Sequence, residues 1–179
     1  MKKYKELLKI ARESIKCKLK GEIIKLTNEI KEEYSKKQAC FVTLTINNEL
    51  RGCIGSLEAH QELWKDIINN SMNAAFNDPR FPPLNKNEFD NINIEISILS
   101  IPKKLNYKSS EDLLKKINNK MGLILQKSFY SSTFLPQVWK QIPKKIDFLE
   151  HLSIKAGLKK DDWKSSNFLF YKVKSIKEK

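Results

Sequence analysis

The sequence is poor in the cysteines and histidines on which metal sites and disulfide frameworks depend, and it lacks the long apolar run of a membrane span. Its 179 residues include three cysteines, two histidines and five glycines, without a CxxC pair. An odd number of separated cysteines argues against a disulfide framework and against a structural zinc site, so we expect no metal and no cofactor. No apolar run approaches the roughly 18 residues that a membrane span needs. The lysine-rich start lacks a continuous apolar stretch, so we expect a cytoplasmic protein without a signal peptide.

Arginine is also scarce, although the chain is strongly basic. The formal net charge is +13, but only Arg12, Arg51 and Arg80 of the 34 basic residues are arginines. Proteins that read bases rely heavily on arginine, and single-strand binding needs exposed aromatic rings between the charges. Neither pattern is present, which favours a lysine-rich solvated surface. Nucleic-acid binding through this basic surface remains the weaker alternative, and it would be nonspecific.

Apolar spacing predicts a mixture of helices and strands within a single domain over residues 1–179. Spacings of three and four predict helices over 3–20, 23–34 and 60–76, while 145–158 is predicted to be a helix that Gly157 closes. The β-favouring runs 39–46 and 49–57, separated by Asn47 and Asn48, predict a hairpin. Further strands are predicted at 91–101, at 121–127 with 128–135, and at 167–173. Because helices and hairpins mix without βαβ alternation, the predicted class is α+β with a mainly antiparallel sheet.

The stretch "LRGCIG" places a thiol, a guanidinium and two glycines together. Residues two apart on a strand share a face, so Arg51 is expected beside Cys53, where its charge would favour the thiolate. Gly52 and Gly55 remove side chains and would let a ligand or another backbone come close. One interpretation is a nucleophilic Cys53 in a small positively charged pocket, with His60 the nearest candidate base in the sequence. The other is a structural cysteine, with glycines that admit a neighbouring helix.

Two further groups of polar residues are candidates for ligand binding. Asp78 and Arg80 flank a proline, and Arg80 could hold an anion with two hydrogen bonds, or the pair could simply brace its loop. Glu95 and Ser97 lie in the strand predicted at 91–101. Their side chains could face a cleft, or solvent, as is common for one side of an antiparallel sheet.

The motifs together resemble the AMMECR-type domain family, which includes protein A of the AmmeMemoRadiSam system. The resemblance rests on "ACFVTLTINNELRGCIGSLE", "NAAFNDPRFPPL", "IEISILS", "GLIL", "FLPQVW" and "FLEHLSIKAGL", in that order. Two departures are visible: Ala59 and His60 replace a usual proline segment, and the hairpin "QKSFYSSTF" lacks the family's glycines.

What the resemblance implies extends beyond the residues themselves. It implies an α+β fold with a small second subdomain, a partnership with a Memo-type dioxygenase-like protein and a radical-SAM protein, and a place for Gln137 in the site. It implies no particular reaction. The sequence therefore predicts a component of a three-protein system that binds or modifies a small anionic ligand at Cys53. The alternative is a non-catalytic protein-binding or adaptor module, and whether the chain is an enzyme stays open.

Overall fold

A computed structural model describes residues 2–178 of the chain, with side chains from Lys5 onward, and it divides into two compact units. The first unit runs to Leu99 and resumes at Lys174, and the second comprises Ser100–Val173. Each unit contains a four-stranded sheet with helices. The predicted α+β class with mainly antiparallel pairing is therefore confirmed.

The first unit packs helices against one face of its sheet. Its elements are α1 (Lys2–Lys20), α2 (Asn28–Glu33), β1 (Cys40–Ile46), β2 (Glu49–Gly55), α3 (Leu63–Phe76), α4 (Lys86–Phe89), β3 (Asn93–Leu99) and, at the end of the chain, β8 (Val173–Lys177). The strand order is β2-β1-β3-β8. Alternation along the strands places the apolar side chains on the helix side, where they form one core: Val42, Leu44, Ile94 and Ile96 are at most 1% exposed. The intervening polar residues lie on the opposite face.

The predicted hairpin forms, and its turn sets the register of the candidate site. Asn47 and Asn48 have φ of 51° and 66°, the left-handed conformation that a two-residue turn between twisted strands requires and that asparagine tolerates. Thr43 consequently lies opposite Cys53. A β-bulge between Leu44 and Thr45 then breaks the regular alternation at the position of Arg51.

The second unit has a core of its own. Its elements are β4 (Lys103–Lys104), α5 (Ser110–Lys116), β5 (Gly122–Lys127), β6 (Tyr130–Phe134), α6 (Lys145–Lys155) and β7 (Asn167–Tyr171), with 3-10 helices at Pro136–Lys140 and Lys160–Ser165. The strand order is β4-β7-β5-β6. Trp139 stacks on Phe148 with ring centroids 3.7 Å apart. Gly157 has φ of 79° just after α6, so the predicted helix end is confirmed.

One prediction of secondary structure is wrong, and one strand was not predicted. The helix predicted over 23–34 is reduced to α2, because Gly21 ends α1 with φ of 74° and Thr27 starts a new helix by accepting a hydrogen bond from the Ile30 N–H. Strand β8 was not predicted, since its sequence "VKSIK" reads as a charged tail. Lysines are common on edge strands, where they discourage pairing with other chains.

Candidate functional site

Four polar side chains form a row across the first sheet, on the face away from its helices. Cys53 lies opposite Thr43, and Thr43 lies opposite Glu95 on the next strand. The Thr43 hydroxyl donates to the Cys53 Sγ over 3.3 Å, and the Ser175 hydroxyl of β8 donates to the Glu95 carboxylate. Cys53, Thr43 and Glu95 are half-buried, and Ser175 is exposed. We call these four residues the polar row. The polar row brings the predicted site residues Cys53 and Glu95 onto a common surface.

Asp78 and Arg80 form hydrogen bonds with the outer edge of β2 at Cys53. Strand β2 ends the sheet, so the outward-pointing backbone groups of Cys53 need other partners. Asp78 Oδ2 accepts from the Cys53 N–H over 2.8 Å, and Arg80 Nη2 donates to the Cys53 carbonyl over 3.2 Å. Arg80 Nε and Nη2 also donate to Asp78 over 2.9 and 2.7 Å. The pair therefore replaces a neighbouring strand, which is a structural role.

The ion pair also sets the charge state of both groups. Hydrogen bonds from the Arg80 side chain, and then from the backbone N–H groups of Cys53 and Arg80, hold the pKa of Asp78 well below its usual range, although burial opposes this. The Asp78 carboxylate in turn raises the pKa of Arg80. Asp78 is buried whereas the Arg80 side chain is 53% exposed, so half of this guanidinium still faces outward.

Acid should weaken the fold through Asp78, and Asp78→Asn should reduce that sensitivity. Since the folded pKa lies below the unfolded value of about 3.9, the stabilisation is complete above about pH 4 and is lost as the pH falls below it. At pH 7 the substitution should cost about 1–2 kcal/mol, because a charge-assisted hydrogen bond is weakened. Urea unfolding between pH 2 and 7 measures both effects. The exposed Glu49→Gln variant is the control, and equal pH slopes for Asp78→Asn and the wild type would contradict the prediction.

Arg51 binds another part of the first unit. Its Nε and Nη2 donate to Glu88 Oε1 and Oε2 over 2.7 and 3.0 Å, and Nη2 also donates to the Pro82 carbonyl over 2.9 Å. The side chain is buried, and its charge lowers the pKa of Glu88. These contacts tie β2 to the segment that leads into α4. Both motif arginines are thus matched by carboxylates, so the positively charged pocket expected around Cys53 is electrically balanced.

The space beside the two glycines is occupied by the protein itself. A Cβ on Gly52 would lie 2.1 Å from the Ala74 carbonyl oxygen of α3. A Cβ on Gly55 would lie 2.2 Å from the ring of Phe41, which stands opposite on β1. Gly52 therefore admits a helix backbone and Gly55 admits an aromatic ring. This agrees with the alternative in which the glycines serve packing.

The other predicted residues are distributed over the structure. Ser97 is buried on β3, opposite Phe41 and one pleat from Glu95. Gln137 belongs to the second unit, where it is exposed in the 3-10 helix Pro136–Lys140. His60 is exposed, with its Nε2 3.2 Å from a Glu58 carboxylate oxygen.

Sequence reasoning missed a buried network around Asp66 on α3. Asp66 Oδ2 accepts from the Cys40 N–H over 2.8 Å and from the Asn70 amide over 3.0 Å. Its Oδ1 accepts from the Ser56 hydroxyl over 2.8 Å and from the Gln61 amide over 3.0 Å. The network ties the start of β1 and the end of β2 to α3. The available signal was an Asp and an Asn four residues apart on the apolar face of a predicted helix.

Residues 2–178 contain neither a cluster of metal-ligating side chains nor a helix suited to span a membrane. No group of three or more His, Cys, Asp or Glu residues there could hold a metal ion. In the same part of the chain, no helix has both the length and the apolar character to cross a membrane.

This protein is of the α+β class, with two four-stranded sheets. Its polar row includes a cysteine on a hairpin strand that also contains two glycines. The AMMECR1 family model matches residues 8–176, nearly the whole chain. The chain belongs to the AMMECR1 family.

Relatives and a solved structure agree with this assignment. Protein NEQ441 of Nanoarchaeum equitans is 40% identical over 162 residues, which cover 88% of this chain and 89% of the relative. A protein of Aquifex aeolicus is 38% identical over 175 residues, covering 93% and 87%. The crystal structure of the uncharacterized protein PH0010 from Pyrococcus horikoshii is similar with a TM-score of 0.86 and 31% identity, and the match covers 99% of this chain and 92% of that one.

Proposed function

We propose that the chain is the AMMECR-type component of a three-protein modification system, acting with a Memo-type dioxygenase-like protein and a radical-SAM protein. The surface at which it acts is the polar row around Cys53. Membership of the AMMECR1 family supports the first part of this proposal. The second part depends on the geometry of Cys53.

The observation that carries the site is the half-exposed thiol of Cys53. The other prominent motif residues serve internal contacts: Arg51 with Glu88, Gly52 against α3, and Gly55 against Phe41. The Cys53 sulfur instead lies on the sheet face away from the helices and contacts the Thr43 hydroxyl. A thiol held by hydrogen bonding at an accessible surface is suited to bind or attack a ligand.

Arg80 is the candidate cation for a small anionic ligand beside Cys53. The outward half of the Arg80 guanidinium could take one oxygen of the anion while Nε and Nη2 keep their bonds to Asp78. Arg51 is not available, since it is buried against Glu88. Such a ligand would therefore be held by a partly neutralised charge.

Alkylation of the three cysteines tests whether Cys53 is reactive. Burial, and then the negative charge of Asp66, raise the pKa of the Cys40 thiol well above its ordinary value, so Cys40 should remain unlabelled in the folded protein. Cys17 is half-buried like Cys53 and provides the matched comparison. We expect iodoacetamide at pH 7–8 to label Cys53 at least about tenfold faster than Cys40, and faster than Cys17. Mass spectrometry of the digested protein gives the three rates.

Partner binding provides the second measurement. If Cys53 acts chemically, Cys53→Ser should retain binding to the Memo-type and radical-SAM proteins while losing its labelling. Labelling of Cys53 that is slower than that of Cys17 would count against the nucleophile. Failure of both proteins to co-purify with the wild-type chain would count against the three-protein system.

A non-catalytic adaptor is the second candidate, and the ion pairs favour it. Asp78 and Arg80 fix the edge of β2, and Arg51 and Glu88 fix the segment beside it, so the hairpin presents a rigid surface. In that case Cys53→Ser would leave every activity of the system unchanged. Nucleic-acid binding is the weaker alternative and depends on the net charge of +13 alone, so salt should abolish it without any sequence preference.

A further inference from the structure

A pocket of about 400 Å³ opens on the first unit beside the polar row. Its volume lies within the range of about 300–1,000 Å³ that is typical of small-molecule sites. The polar residues that line it come from β1, the hairpin turn, β3 and the end of the chain: Thr45, Asn48, Asn93, Glu95, Lys177 and Glu178. None of these residues was a candidate from the sequence except Glu95.

The pocket adjoins the polar row through two strands. Thr45 follows Thr43 by two residues on β1, and Asn93 precedes Glu95 by two residues on β3, so each pair shares a face at a spacing of roughly 6–7 Å. Thr45 and Asn93 lie directly opposite each other. A ligand in the pocket would therefore be one pleat away from Thr43, the hydrogen-bond partner of Cys53.

Several polar groups of the pocket have no partner among the side chains that the structure describes. Within residues 2–178, the side chains of Thr45, Asn48, Asn93 and Lys177 make no hydrogen bond or ion pair. The Glu178 carboxylate, in contrast, is engaged by Arg12 over 2.8 Å and by the Ile94 N–H over 2.9 Å. These four side chains line one pocket, and three of them, Asn48, Asn93 and Lys177, are exposed, so a ligand can reach them.

The charges that remain available are one of each sign. Arg12 neutralises Glu178, which leaves the Lys177 ammonium and the Glu95 carboxylate. Glu95 accepts a hydrogen bond from Ser175, and no ion pair joins it to Lys177 in the described part of the chain. A purely anionic ligand would meet Glu95, and a purely cationic one would meet Lys177. Only a ligand that carries both charges satisfies both residues.

We propose that this pocket binds a small zwitterion, a free amino acid, with its carboxylate at Lys177 and its ammonium group at Glu95. The amides of Asn48 and Asn93, each able to donate and accept, then contact a polar side chain of the ligand. The inference deepens the proposed function, on which it rests, by naming the ligand class of the Cys53 face. This ligand of balanced charge is distinct from the small anion proposed at Arg80, which does not line the pocket.

Isothermal titration of the purified full chain tests the proposal with four probes. L-serine and L-glutamine carry both charges, whereas propionate and propylamine carry one each. We expect the amino acids to bind and the single-charge probes to bind at least about tenfold more weakly, since each lacks one charge-assisted contact. Lys177→Met and Glu95→Gln should each weaken amino-acid binding by about tenfold or more. Lys36→Met, an exposed lysine outside the pocket, should leave it unchanged.

Melting temperatures of the variants separate a lost contact from a lost fold. The proposal is overturned if no amino acid binds, if propionate binds as tightly as serine, or if folded Lys177→Met and Glu95→Gln variants both bind normally. Cys53→Ser should still bind the amino acid, because the thiol does not line the pocket. A reactive Cys53 without amino-acid binding would refute this inference alone. Amino-acid binding with an inert Cys53 would refute only the proposed role of the thiol.

Discussion

Gly52→Ala should destabilise the first unit by about 3 kcal/mol, the upper end of the usual range for overpacking. The new methyl group would lie 2.1 Å from the carbonyl oxygen of Ala74 and 3.0 Å from its carbonyl carbon. Both atoms belong to the backbone of α3, so no side-chain rotation relieves the clash. Either α3 or β2 must move, and both are packed against the same core. Urea unfolding followed by circular dichroism measures the loss.

Gly21→Ala is the control for Gly52→Ala, because it separates steric contact from backbone strain. Gly21 has φ of 74°, but an added Cβ would meet no heavy atom within 4 Å. Its replacement should therefore cost only about 1 kcal/mol, through the left-handed backbone alone. If Gly52→Ala lowers the free energy of unfolding no more than Gly21→Ala does, then α3 is not in close contact with β2 at Gly52.

Asp66→Ala should have an effect of similar size, about 3 kcal/mol, for an electrostatic reason. The carboxylate is 2% exposed and accepts hydrogen bonds from four donors, two of which are the Cys40 N–H and the Asn70 amide. Alanine would leave the buried Cys40 N–H without its acceptor, whereas Asn70 would keep its bonds to the Cys40 carbonyl and the Ser56 hydroxyl. An unsatisfied buried donor costs about 1–3 kcal/mol unless water enters, and the other bonds to the carboxylate are lost as well. The start of β1 would lose its attachment to α3. Thermal and urea unfolding measure the change.

The comparison for Asp66→Ala is Ser56→Ala in the same network. Ser56 contributes one hydroxyl, which donates to Asp66 Oδ1 over 2.8 Å and also accepts from Asn70 over 3.2 Å. Its removal leaves the other donors of Asp66 in place, so we expect a loss of about 1 kcal/mol. Equal stability of the two variants would show that the Asp66 carboxylate does not hold β1 against α3. Cys40 should also become accessible to iodoacetamide in Asp66→Ala before global unfolding, because its strand would be released.

The structure separates the residues of the "LRGCIG" motif that serve packing from Cys53, which does not. Gly52 and Gly55 accommodate α3 and Phe41, and Arg51 joins β2 to Glu88. Cys53 presents its half-buried side chain on the open face of the sheet, beside Thr43, and Leu50 is exposed. A motif of six residues can therefore serve mainly to build a rigid hairpin, while its one thiol carries the candidate function.

Local patterns in the sequence were enough for the hairpin and for the position of Cys53. The two asparagines at 47 and 48 specify the turn, and the period of two residues then places Cys53 and Thr43 on the same face. The alternation in 91–101 likewise placed Glu95 on the opposite face from Ile94 and Ile96. These features depend on neighbours in sequence, so they can be predicted without the fold.

The partners of the charged residues depend on the tertiary structure. Arg51 and Glu88 are 37 residues apart in the sequence. The bulge at Leu44 and Thr45 breaks the alternation of side chains that predicted Arg51 beside Cys53. The position of α3 decides whether the volume beside Gly52 is empty or is filled by backbone atoms. The sequence by itself determined the α+β class, the family, the hairpin and the strand position of Cys53, because local spacing and turn chemistry specify them. Only the tertiary structure decided which charges are neutralised and where a pocket opens, because those properties come from residues brought together over long distances in the chain.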